Sequence, residues 1–296
     1  MDGSTQRVTS ADGTTLAYES YGSGPAVILV AAAMNDVSGL RPLAQALAEA
    51  GVRAVTYDRR GRGASDDAAA VGDRTPVTGA VERELDDLDA LLAAVGGRAA
   101  VLGYSSGGHL ALLATIRNPG FIALAMFEPP FAFEGESTEP TTAEAEVLSA
   151  LVAEGRRADA VISFQRAIGL DEEMLEQIRH APFFPALEAL ANSLVYDAAV
   201  TGLYPDPGLL GSEVRVPATV MHGRDTWPDL AAASRRAAEA IPGAELRPVE
   251  GANHRIVPHA VAAEVLKLLA RVPAAFDPTS PTARPLRSHR PATPHG

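Results

Sequence analysis

The sequence predicts an α/β protein: a mostly parallel, doubly wound sheet interrupted by an inserted helical segment. Three observations carry that expectation. Ala26–Ala31 is a continuous apolar run, as in a strand buried on both faces. Strand-like and helix-like patterns alternate after it, which is how β–α–β units wrap a parallel sheet. The alternation then stops near Glu134 and resumes near Val216.

Taken in order, the chain opens as a hairpin. Asp12-Gly13 marks a turn between Arg7–Ser10 and Thr14–Ser20, which carry Val, Thr, Leu and Tyr. Gly22-Ser23-Gly24-Pro25 introduces the apolar strand. Helix Gly39–Ala50 leads to strand Arg53–Tyr57, helix Val81–Val95 to strand Ala99–Tyr104, and helix Ser106–Asn118 to strand Phe121–Phe127. From Glu134 to Ser212 the periodicity is helical. Thr141 with Glu144 reads as a capping box opening a helix to about Glu154. Helices at Ala158–Ile168, Asp171–Arg179 and Pro185–Ala198 follow. Strand–helix rhythm returns with Val216–His222, Asp229–Ile241, Glu245–Val249 and Pro258–Leu269. Residues 1–133 and 213–271 are thus expected to form the core and 134–212 a helical lid. Residues 272–296, rich in Pro, Thr, Arg and His from Phe276 onward, read as a disordered tail.

Composition narrows the function classes. With 296 residues, 47% of them hydrophobic, the chain can bury one large core. A net charge of −12 disfavours nucleic acid and anionic membrane surfaces, since phosphate binding needs a basic footprint. The absence of cysteine removes disulfides, thiolate metal sites and a cysteine nucleophile. The polar start MDGSTQRVTS lacks the apolar core of a signal peptide, and no apolar run approaches a membrane span. The expectation is a soluble, cytoplasmic protein with no metal or cofactor, whose partner is a small-molecule substrate. The oligomeric state stays open.

The chemistry centres on Gly103-Tyr104-Ser105-Ser106-Gly107. This G-x-S-x-G follows the apolar strand and opens a helical run, the setting a nucleophile elbow requires to hold a serine Oγ above a sheet. The start of the helix also favours developing negative charge. The bland alternative is an ordinary glycine-rich loop.

With the elbow, Tyr57-Asp58-Arg59-Arg60-Gly61-Arg62-Gly63-Ala64-Ser65 resembles the D-x-R-G-x-G-x-S turn of the α/β-hydrolase fold family, and the likeness runs from about Val8 to Leu269. That turn is structural in the family. The resemblance implies Ser105 as nucleophile and His254, in Glu250-Gly251-Ala252-Asn253-His254 after the last strand, as general base. A base within hydrogen-bond reach that titrates near neutrality is what the chemistry demands. The acid has two candidates. The family usually places it three residues beyond a glycine ending the seventh strand. From Gly223 that position is Thr226, which cannot serve, and Asp225 is one residue early. Glu128, in Phe127-Glu128-Pro129-Pro130, follows the sixth strand, where some members, including a subset of haloalkane dehalogenases, carry their acid. Glu128 is favoured and Asp225 kept as the alternative. A structural reading of Glu128 would make it a salt-bridge partner of Arg59 or Arg60.

At the oxyanion hole the chain departs from the family's His-Gly, showing Ala31-Ala32-Ala33-Met34-Asn35 instead. Backbone N–H groups do that work, so Ala33 and Ser106 become the expected donors. Asn35, Tyr104 and Trp227 are candidate substrate contacts, the two aromatics equally readable as core. The resemblance implies a serine hydrolase, of the ester-cleaving kind (EC 3.1), acting on an ester, lactone, thioester or C–C bond next to a carbonyl in a small, partly apolar molecule. A serine nucleophile argues against the aspartate-based dehalogenase and epoxide hydrolase chemistries. The alternatives are a lyase, cyclase or acyltransferase of secondary metabolism on the same scaffold, or a catalytically dead small-molecule receptor.

Overall fold

The computed structural model describes residues 3, 5–72 and 74–273. Of the tail read at 272–296, all but residues 272 and 273 lies outside the described residues.

Eight strands form one sheet: β1 (Thr5–Thr9), β2 (Thr15–Tyr21), β3 (Ala26–Val30), β4 (Arg53–Tyr57), β5 (Ala99–Tyr104), β6 (Phe121–Phe127), β7 (Ala218–Asp225) and β8 (Glu245–Ala252). Their order is β1-β2-β4-β3-β5-β6-β7-β8. β1 and β2 pair antiparallel, as does β2 with β4, and the remaining pairs are parallel. The first chain reversal is the β1–β2 hairpin at Asp12-Gly13, where Gly13 takes φ 91°.

Alternation along each central strand feeds two cores. Ile28, Val30, Val101, Leu124, Met126 and Val220 face one side of the sheet. Val27, Leu29, Ala100, Leu102, Ala125 and Met221 face the other. Side chains alternate across a strand, so near-continuous apolar runs are what a sheet covered on both faces selects. On the second face pack α1 (Val37–Glu49) and α10 (Pro258–Ala270). On the first pack α2 (Ala80–Ala94), α3 (Ser106–Arg117) and α9 (Pro228–Ala240). No described helix is long and apolar enough to cross a membrane.

Between β6 and β7 lies an insertion of α4 (Ala143–Ala153), α5 (Arg157–Ala167), α6 (Glu172–Arg179), α7 (Phe184–Ala189) and α8 (Leu194–Leu203), with no strand among its described residues. Two local expectations need correction. The Thr141–Glu144 capping box does not form: Thr142 is the N-cap and makes no side-chain cap bond. Glu144 instead accepts from Ser163 Oγ, and the Thr141 N–H donates to the Gly202 carbonyl. The single helix expected over Pro185–Ala198 is broken into α7, a 3₁₀ turn at Ala191–Ser193, and α8. Side chains take the carbonyls at the break. Arg157 donates to the carbonyls of Glu188 and Ala189, and Ser193 Oγ to that of Leu190. Carbonyls satisfied this way no longer need a continuing helix.

Candidate active site

β5 delivers Ser105 to the mouth of the sheet. Ser105 sits at φ 55°, ψ −125°, between the last residue of β5 and the first of α3. Its N–H donates to the Phe127 carbonyl at 2.9 Å, which hangs the turn on β6. The two motif glycines are required by contact. A Cβ on Gly103 would come within 2.1 Å of the Gly107 carbonyl oxygen, and one on Gly107 within 2.5 Å of the Val30 carbonyl oxygen. Strand, turn and helix therefore close on one another with no room for a side chain.

β6 ends one residue before Glu128, which is fully buried. Its N–H donates to the Met221 carbonyl at 2.9 Å. One carboxylate oxygen, Oε1, accepts from the Gly223 N–H at 2.8 Å. The other, Oε2, lies 2.5 Å from Nδ1 of His254. β7 thus holds the carboxylate by its backbone while the free oxygen meets the imidazole. Neither Arg59 nor Arg60 pairs with it: Arg59 binds Glu84 and Asp197, and Arg60 binds Asp87 and Asp12.

β8 and the turn after it carry His254. Asn253 and His254 both have left-handed backbone, at φ 51° and 59°. The Tyr104 hydroxyl donates to the His254 carbonyl. The Tyr104 ring lies 5.1 Å from the imidazole, centroid to centroid. Burial, with a contribution from Glu128, pushes the Tyr104 phenol up to about 12, so it remains a donor. Trp227, half exposed, also stacks on the imidazole, at 6.0 Å and 26°. Both aromatics read as substrate contacts are therefore placed against His254. Asp225 is exposed at the end of β7 and meets the histidine loop through backbone, its carbonyl accepting from the Asn253 N–H at 3.4 Å. The structure brings Glu128, and not Asp225, to the imidazole.

The loop after β3 lies beside the elbow. Ser106 opens α3, so its N–H belongs to the first turn, where donors have no partner within the helix. Ala33 and Met34 form the facing loop, with Met34 at φ 57°. The Asn35 amide turns inward and donates to the Ala33 carbonyl at 2.9 Å. A cleft of about 480 Å³ opens next to this loop, between Met34, Asn35, Gly61, Gly63, Leu187 of α7 and Leu190 just after it. Its walls do not include Ser105 or His254, so it borders the site.

Two other described histidines do not touch the Glu128 carboxylate. His222 is buried in β7, its Nδ1 against the Gly223 carbonyl. His109 is fully buried in α3, and burial pushes its pKa down to about 3.

Two further buried acids, Asp197 and Glu84, stand beside the site, and neither belongs to a sequence motif. Asp197 stands in the run Leu194–Val200, all of it buried, and binds Arg59, Arg62 and Ser106. An aspartate inside an otherwise apolar helix face was the available signal, because buried carboxylates need cationic partners. Burial opposes the charge on Arg59, yet Asp197 and Glu84 outweigh it and hold the guanidinium pKa above its ordinary value. Arg62, equally buried and next to Arg59, is shifted down.

Comparison with known proteins gives a consistent picture. A family model described as the alpha/beta hydrolase family matches residues 23–268. The crystal structure of an alpha/beta hydrolase from Sphaerobacter thermophilus DSM 20745 is 37% identical, covering 89% of this chain and 100% of that one with a TM-score of 0.77. An enol-lactonase from Burkholderia xenovorans LB400 is 22% identical, covering 90% and 100% of the two chains at a TM-score of 0.63. A thermophilic esterase from Thermogutta terrifontis is 21% identical, covering 91% and 99% at a TM-score of 0.66. The last two likenesses speak to the fold alone.

Proposed function

The chain belongs to the alpha/beta hydrolase family, and from that premise we propose that it is a serine hydrolase of small, partly apolar carbonyl compounds. Its substrate is an ester, lactone, thioester or ketone with a cleavable C–C bond, with ester cleavage the leading case. The observation that carries this reading is the 2.5 Å contact between His254 Nδ1 and a fully buried Glu128, beside a strained Ser105.

In this scheme Glu128 holds the proton of His254 on Nδ1, which leaves Nε2 free to act as base. Nε2 takes the hydroxyl proton of Ser105 as Oγ attacks the carbonyl carbon. The N–H groups of Ala33 and Ser106 receive the oxyanion. Collapse expels the leaving group, which takes the proton from His254, and water activated by the same base hydrolyses the acyl-serine. Helices α4–α8 act as the lid of the pocket. The neighbouring cleft, with Met34, Leu187 and Leu190 beside Asn35 and Asp36, is where part of such a substrate would extend. Cytoplasmic residence rests on the sequence alone.

The test is direct. A fluorophosphonate should label Ser105, and Ser105→Ala should abolish labelling and lower p-nitrophenyl ester turnover by about 10⁴–10⁶-fold with the fold intact. Turnover within about tenfold of the parent would sink the mechanism. Labelling without turnover of any ester would favour a lyase, cyclase or acyltransferase.

A further inference from the structure

Asp197 on α8 has a fully buried side chain that reaches three residues outside the insertion. Its Oδ1 accepts from Arg59 Nη1 at 2.6 Å and from Ser106 Oγ at 2.7 Å, and its Oδ2 accepts from Arg62 Nη2 at 2.6 Å. The two arginines extend the connection. Arg59 Nη1 donates to the Ala31 carbonyl at 3.1 Å, and Arg62 Nη1 to the carbonyls of Ala32 at 2.6 Å and Asn35 at 2.9 Å. One carboxylate thus grips the first residue of α3 directly and the loop after β3 through two guanidinium groups. Those two segments carry the N–H groups assigned to the oxyanion hole.

We propose that Asp197 is a positioning residue that sets the spacing of the oxyanion donors Ala33 and Ser106, which makes the insertion part of the catalytic framework. This rests on the serine hydrolase reading above. Donors stabilise an oxyanion only when held at about 2.7–3.1 Å from where it forms, so a loop and a helix start that drift apart lose rate without losing substrate. Both segments are under backbone strain, at Met34 and Ser105, and strained turns keep their shape only when neighbours hold them. Charge does not explain the arrangement. A lone carboxylate behind the hole would oppose the developing negative charge. Here Asp197 and Glu84 are balanced by Arg59 and Arg62, all four buried, so geometry is what remains.

Ser106→Ala removes the hydroxyl link and keeps the backbone N–H and every ion pair. Asp197→Asn removes the charge that both arginines face. Each variant is assayed for kcat and KM on a p-nitrophenyl ester, for inhibition by an alkyl trifluoromethyl ketone, and for melting temperature. The ketone forms a hemiketal with Ser105 whose oxyanion occupies the hole. Ser106→Ala should melt near the parent, lose kcat by about tenfold or more with KM within about twofold, and bind the ketone more weakly in proportion to its lost kcat/KM. Asp197→Asn, if folded, should show the same split. A Ser106→Ala variant with kcat and ketone affinity within about twofold of the parent overturns the proposal, whether or not Asp197→Asn folds. A parent that neither turns over nor takes a fluorophosphonate overturns the serine reading and this one with it. A parent that does both, beside an unaffected Ser106→Ala, overturns this proposal alone.

Discussion

Met34, Ser105, Glu128, Asn253 and His254 are the described non-glycine residues with left-handed backbone, and all five stand at the site. Such conformations cost on the order of 1–3 kcal/mol each and persist where surrounding structure over-determines them. Their coincidence with the candidate nucleophile, acid, base and oxyanion loop is independent of any motif. It also bears on the acid. Glu128 is placed at φ 47° by its own N–H bond to Met221 and its carboxylate bond from Gly223, so its remaining oxygen has one direction to point. Glu128→Gln has one acceptor where the carboxylate has two: with its NH₂ toward Nδ1 the imidazole would lose its tautomer, and with its oxygen there the Gly223 contact is lost, as is the charge that stabilises an imidazolium. Steady-state kinetics should show kcat down by about 10²–10⁴, against less than about tenfold for Asp225→Asn. A crippled Asp225→Asn beside a near-silent Glu128→Gln would transfer the role to β7. Local pattern alone could not decide this, because both carboxylates end strands and the contact joins residues 126 apart in the chain.

At the scale of elements, α3 is unusual in being buried on every side from Ser106 to Thr115. An all-round buried helix has no wet face for a polar residue, yet His109 sits in it. Its ring lies 4.2 Å from that of Phe131, and neither nitrogen has a hydrogen-bond partner among the described residues. Burial drives its pKa from 6.5 down to about 3. The unfolded chain therefore takes up a proton below about pH 6.5 that the native protein refuses, and stability is lost as pH falls through that range. Asp87 works in the opposite sense. Burial raises its pKa from 3.8 to about 6 against the pull of Arg60, so between those values the native state holds a proton that the unfolded chain has released. Comparison with His109→Leu isolates the histidine. Between pH 7.5 and pH 5 the variant should gain about 2 kcal/mol relative to the parent in urea unfolding. Parallel stability curves would show that His109 finds a protonated native form. Element prediction failed where tertiary partners took over. Arg157 and Ser193 cap α7 from the side, and Thr141 spends its N–H on α8, neither of which helical periodicity can register.

For the whole molecule, the insertion divides into a clamped part and a loose one. α8 buries Leu194 through Val200 and is tied to the core by Asp197. α6 buries Leu175 alone among its residues, and α7 buries Phe184 alone. Local opening follows buried contact, so amide exchange over 172–189 should run orders of magnitude faster than in α8, whose protection should approach that of β5. Uniform protection across the insertion would contradict this. Access to the site would then need another route. The sequence by itself determined the class of fold, the strand–turn–helix setting of Ser105, the loop position of His254 and the interruption of the sheet's rhythm. Each is written in apolar periodicity, glycine placement or chain order, over a dozen residues or fewer at a time. Only the tertiary structure decided which carboxylate meets His254, why Arg59 and Arg62 are buried, and what Asp197 holds. Those outcomes depend on polar and charged groups brought together from α2, α3, α8 and the turns after β4, β6 and β8, and a buried charge is stable only beside partners that one stretch of chain cannot name.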